Sequence, residues 1–121
     1  MLVGFHRDDT VKDSDYIISK INGLRIFNDT EGMMNLPVTD TAGEILVVSQ
    51  FTLYGDARKG KRPSYSDSMQ PDKALLFYES FIESFKKFNA RVKSVKFGAD
   101  MDVSLVNHGP VTILLDSSKN F

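Results

Sequence analysis

Between Gly43 and Gly55 lies the stretch that most restricts this chain: the apolar residues Ile45 to Val48 run without a break into Ser49 and Gln50. A short β-branched run bounded by glycines reads as a buried strand. A buried hydroxyl or amide without a partner costs roughly 1–3 kcal/mol. Ser49, Gln50 and Thr52, at the end of that strand, are therefore satisfied either by the fold or by a ligand.

The rest of the chain has to cover this strand. Its 121 residues, 41% of them apolar, are enough for one cored domain over residues 1–121 and too few for two. There is no cysteine, hence no disulfide framework and no thiolate metal site. No run approaches the roughly 18 apolar residues of a membrane span, and Met1 to Asp9 lacks the features of a signal peptide, so a cytoplasmic protein with no membrane association is expected. A net charge of −1 gives no global attraction to nucleic acid. A local one exists at Arg58, Lys59, Lys61 and Arg62.

Taken in order, Leu2 to Phe5 is a short apolar run, and Asp13 or Ser14 can cap a helix carrying Ile17, Ile18, Ile21 and Leu24. Leu24–Phe27 and Met33–Val38 read as strands about a turn at Asn28–Gly32, with Pro37 favouring an edge. Tyr54 to Gln70 is a long basic loop, either simply solvated or a phosphate-contacting element with Tyr65 available to stack. Pro71-Asp72 opens the clearest helix, with Ala74, Leu75, Phe77, Tyr78, Phe81, Ile82, Phe85 and Phe88 on one broad face. Arg91–Phe97 alternates as a strand, and Met101–Asn107 with Val111–Asp116 reads as a hairpin turning at Asn107–Pro110. The pattern predicts an α+β fold: a mostly antiparallel, barrel-like sheet with two packed helices.

Familiar catalytic signatures are missing. Two histidines far apart, His6 and His108, make a poor metal site, and neither a Walker pattern nor a dinucleotide fingerprint is present, so no metal and no cofactor is expected. Ser49 is not in a Gly-x-Ser-x-Gly elbow. Thr52 as a direct nucleophile lacks an evident base in the sequence.

Several spaced segments, in order, resemble the D-aminoacyl-tRNA deacylase family: Ser49–Leu53, Gly60–Ser64, Phe97–Met101 and Asn107–Thr112, with Leu24–Phe27 and Glu31–Leu36 similar to its middle part. The resemblance implies a homodimeric cytoplasmic hydrolase that cleaves the ester between a D-amino acid, or glycine, and the 3′-terminal adenosine of tRNA, as translational quality control, without a metal. It implies an active site at the dimer interface. Ser49, Gln50, Phe51 and Thr52 would supply one half, and a cis Gly109-Pro110 of the other subunit would bind the α-ammonium and exclude L side chains, while Phe97 and Met101 line the pocket. Arg58, Lys59, Lys61 and Arg62 would contact the tRNA.

The chemistry suits such an ester. It is already activated by its α-ammonium and vicinal hydroxyl, so positioning and oxyanion contact from backbone N–H groups around Gln50 to Thr52 can suffice. His108 stands where the family has a small acidic or amide residue, and reads as a turn variant. Family members start with a strand hairpin ahead of the segment matching Leu2-Val3-Gly4, so that N-terminal part is expected to be absent: either the start is misassigned or truncated, or a shortened protein leaves a sheet edge unpaired. The competing expectation is a non-catalytic nucleic-acid-binding or interaction module on the same fold.

Overall fold

The computed structural model describes residues 1–89 and 91–120. Strand β1 (Leu2–Val3) leads to helix α1 (Val11–Gly23), strands β2 (Arg25–Asn28) and β3 (Met34–Pro37), strand β4 (Ile45–Ser49), helix α2 (Pro71–Phe88) and strand β5 (Val92–Ser94). Two short 3-10 turns, Val38–Asp40 and Phe51–Tyr54, flank β4.

The strand predicted at the heart of the chain is there, and it is central: the main sheet has the order β1-β4-β5. Both its pairings are parallel, Leu2 against Val48 and Val47 against Ser94. Among the strands of the described residues, β2 and β3 alone pair antiparallel, in a separate two-stranded sheet. The mostly antiparallel, barrel-like core expected from the sequence is thus not what forms. An α+β fold with two helices is retained, but its sheets are mixed. The reason lies in the crossovers: helices α1 and α2 each lie between strands that must run the same way to keep both helices against the core.

Helix α2 supplies the wall of that core. Ala74, Tyr78, Phe81, Ile82 and Phe85 are buried along it, and Phe81, Phe85, Ile18 and Val47 lose essentially all exposure. Phe5 lies edge-on to Phe77, Phe81 and Tyr78, tying β1 to the same face. Leu75 and Phe88, placed on this face by helical spacing, are exposed instead. Helix α1 starts earlier than expected, with Thr10 as its N-cap: Asp13 accepts hydrogen bonds from the Thr10 N–H and hydroxyl, both at 2.8 Å. Asp13 therefore sits inside the first turn and completes a capping box.

Beyond β5 the sequence pattern overstated the sheet. Of the strand predicted at Arg91–Phe97 only Val92–Ser94 pairs, and the segments Met101–Asn107 and Val111–Asp116 form no strand. They alternate as strands do, but among the described residues no strand pairs with them. Their connecting turn does form: the Asn107 carboxamide accepts the Val111 N–H at 2.9 Å and donates to the Thr112 hydroxyl at 3.3 Å. The segment is an arm held at both ends. Phe97 packs on Tyr78 with centroids 5.6 Å apart, and Lys119 returns to lie 5.6 Å over the Tyr16 ring of α1.

Candidate active site

The polar end of β4 is shaped by its parallel neighbour. The Gln50 N–H donates to the Val3 carbonyl at 2.7 Å, which carries the β1 ladder one residue past the strand. The chain then coils into the Phe51–Tyr54 turn, whose first internal bond runs from the Leu53 N–H to the Gln50 carbonyl at 3.3 Å. The N–H groups of Phe51 and Thr52 precede that bond and are the free donors of such a turn. Of the backbone N–H groups from Gln50 to Thr52, that of Gln50 is already committed, which leaves those of Phe51 and Thr52. The Gln50 side-chain amide donates to the Thr52 hydroxyl in a short hydrogen bond, so the fold itself satisfies these two polar groups.

Gly4 makes this approach possible. A Cβ there would lie 3.0 Å from the Gln50 carbonyl oxygen and 3.2 Å from both Leu53 and Tyr54 side-chain carbons. No sequence signal beyond a glycine next to a strand marked it out.

Of the residues proposed for the site, Ser49, Gln50, Phe51 and Phe97 line one cleft, together with Gly4 and Phe5. Phe97 is held there through Tyr78, whose hydroxyl lies 3.1 Å from the Val47 carbonyl and 3.2 Å from that of Val95. The cleft measures about 20 Å³, room for roughly one water. Met101, Gly109 and Pro110 do not line it. All three are exposed on the arm, where the Gly109-Pro110 bond is cis. Gly109 has φ +133°, and a Cβ on it would meet the Val111 side chain at 2.9 Å, so this position demands glycine.

Tyr54 closes the turn against the opposite wall, its ring 5.5 Å from His6. Burial, with the carboxylates of Asp9, Asp116 and Asp13 in its neighbourhood, pushes its hydroxyl up to about 12.

The basic loop is more ordered than a solvated run requires. Asp56 and Ser64 exchange backbone hydrogen bonds of 2.8 and 2.9 Å, closing Ala57–Pro63 into a ribbon whose tip turns at Gly60, φ +76°. The Met69 N–H bonds the Phe5 carbonyl at 2.8 Å and pins the loop's far end to the segment just after β1. Arg58 is paired at the surface: its Nε and one terminal nitrogen each lie 2.8 Å from the Asp56 carboxylate. Those bonds hold Asp56 down at about 2. The sequence offered the clue in an Asp two residues before an Arg, the spacing of an Asx turn, which the Arg58 N–H completes at 3.0 Å. Lys59, Lys61 and Arg62 form no ion pair among the described residues.

Comparison with known proteins places these features in company. The family model described as D-Tyr-tRNA(Tyr) deacylase matches residues 1–116. A protein of Thermosipho africanus named D-aminoacyl-tRNA deacylase is 55% identical over 121 residues, all of this chain and 81% of that one. A Bacillus subtilis protein named inactive D-aminoacyl-tRNA deacylase is 51% identical over 117 residues, 97% of this chain and 89% of its own. Among solved structures, one titled c-Myc DNA Unwinding Element Binding Protein superposes with a TM-score of 0.86 at 41% identity, covering 93% of this chain and 76% of that one.

Proposed function

This chain belongs to the D-Tyr-tRNA(Tyr) deacylase family, and on that premise we propose that it hydrolyses the ester joining a D-amino acid, or glycine, to the 3′-terminal adenosine of tRNA. The observation that carries the reading is the family match itself, which spans both the Ser49–Leu53 segment and the Gly109-Pro110 turn. Acting on charged tRNA, it would work in the cytoplasm.

In the proposed mechanism the N–H groups of Phe51 and Thr52 receive the charge that develops on the ester carbonyl oxygen, and Gln50 fixes the Thr52 hydroxyl beside them. Water attacks the carbonyl carbon, and the ribose oxygen leaves with the proton. Serine and threonine hydroxyls orient the ester and do not attack it.

The other half of the site comes from a second copy of the chain. A cleft of about 20 Å³ cannot hold an aminoacyl-adenosine, while the arm that carries Met101, Gly109 and Pro110 stands away from it. That arm also exposes Leu105 at 73% and Val106 at 93%, an apolar display suited to association. Delivered by the partner, Gly109-Pro110 faces the α-carbon, binds the ammonium through backbone carbonyl oxygen and collides with an L side chain. Glycine has no side chain to exclude and is accepted. Lys59, Lys61 and Arg62 contact the tRNA backbone.

Incubation with D-Tyr-tRNA, L-Tyr-tRNA and Gly-tRNA tests this. Loss of D-Tyr and glycine with L-Tyr retained is expected. Tight tRNA binding with no release from any of them would favour the non-catalytic module, and equal cleavage of both enantiomers would remove Gly109-Pro110 from the selection step.

A further inference from the structure

Tyr65 and Arg58 have no part in the hydrolysis just described, yet both are arranged at the root of the basic ribbon. Tyr65 follows the Asp56–Ser64 bridge directly and meets Phe51 edge-to-face, centroids 5.1 Å apart at 65°. The two rings are 39% and 57% exposed, so the contact builds an aromatic ledge outside the core. Arg58 is laid flat against Asp56 by its two 2.8 Å bonds, which commit much of its charge and fix its plane. Between them the chain from Leu53 to Arg58 lines a shallow, open depression of about 480 Å³. Tyr65 borders it at Gly55, where an added Cβ would lie 3.0 Å from the tyrosine ring.

Flat groups at the root and Lys59, Lys61 and Arg62 beyond them reproduce the two ingredients of single-strand recognition, stacking surfaces for bases and cations for phosphates. We propose that Tyr65, backed by Phe51 and with Arg58 on the wall of the depression, is a stacking station for the unpaired nucleotides that precede the terminal adenosine. This rests on the deacylase reading for the identity of the nucleic acid. The ledge adjoins the Ser49–Leu53 turn through Phe51, so a strand stacked on it brings its 3′ end to that turn. Phosphates 5′ of that end then run out along the ribbon.

Two measurements, each with wild type, Tyr65→Leu and Tyr65→Phe, decide it. The first compares turnover of D-Tyr-tRNA with that of the D-Tyr ester of adenosine alone. Tyr65→Leu is expected to raise KM for the tRNA roughly tenfold, while Tyr65→Phe behaves as wild type, so the preference for tRNA over the truncated ester collapses only in the leucine variant. Equal losses on both substrates, or none on either, would overturn the stacking role. The second follows fluorescence anisotropy of an uncharged single strand ending in CCA, with a blunt duplex as comparison. Binding of the single strand that falls in Tyr65→Leu and persists in Tyr65→Phe supports the proposal even if wild type cleaves no ester, in which case the deacylase reading alone fails. Binding indifferent to Tyr65, or stronger for the duplex, overturns it.

Discussion

At the residue scale, the site is defined less by reactive side chains than by what a few atoms hold in place. The Gln50 amide fixes the Thr52 hydroxyl, so Thr52→Ala removes one orienting contact and leaves the backbone donors. Steady-state kinetics are expected to show turnover reduced roughly 10- to 100-fold but not abolished; trapping of an acyl group on Thr52 of the parent protein would contradict this. Tyr54 makes a second prediction. Its folded hydroxyl sits at about 12, above its ordinary value of 10.0, so the folded state holds the proton more tightly. The corresponding stability is complete below pH 10 and is lost as pH rises from there towards 12. Absorbance at 295 nm should show a late tyrosine component that shrinks in Tyr54→Phe, the remainder belonging to Tyr78, whose hydroxyl burial also raises. The Gln50–Thr52 pair was legible as polar groups in need of partners, although Ser49 and Gln50 are only half-buried and Thr52 is exposed. Gly4 was not, because its role arises from a close backbone approach that leaves no periodic trace, whereas the Asp56–Arg58 pair left a two-residue spacing as its clue.

Among the elements, helix α2 was the most readable and the arm the least. A helix makes its own hydrogen bonds, so the Phe81 and Phe85 spacing and the opening proline were enough to place Pro71–Phe88. Phe85 is fully buried against α2's neighbours, and Phe85→Ala is expected to cost about 3–5 kcal/mol, read as a fall in the urea midpoint with an unchanged slope. A strand depends on another strand. The alternation in Met101–Asn107 and Val111–Asp116 reports a preference for extended chain and nothing about the partner that would pair it. For the same reason the antiparallel barrel was misread: alternation is blind to strand direction, which the intervening helices decide.

For the molecule as a whole, the separation of the cleft from Gly109-Pro110 makes an assembly prediction. Thr52→Arg obstructs one half-site and Gly109→Ala strains the other, so each variant alone should be inactive. Mixed after unfolding and refolding, they are expected to recover about a quarter of wild-type activity, the share of intact sites in a random set of isologous dimers. No recovery would put both halves in one chain. The parallel order β1-β4-β5 has a further consequence, in time. Leu2 waits for Val48 and Val47 waits for Ser94, so the central strand stays uncovered on one edge until most of the chain has been made. Closing such distant contacts is slow, and refolding belongs to the millisecond-to-second regime of non-local topologies. Ile45 to Val48 is therefore the segment a nascent chain most needs to keep from strangers.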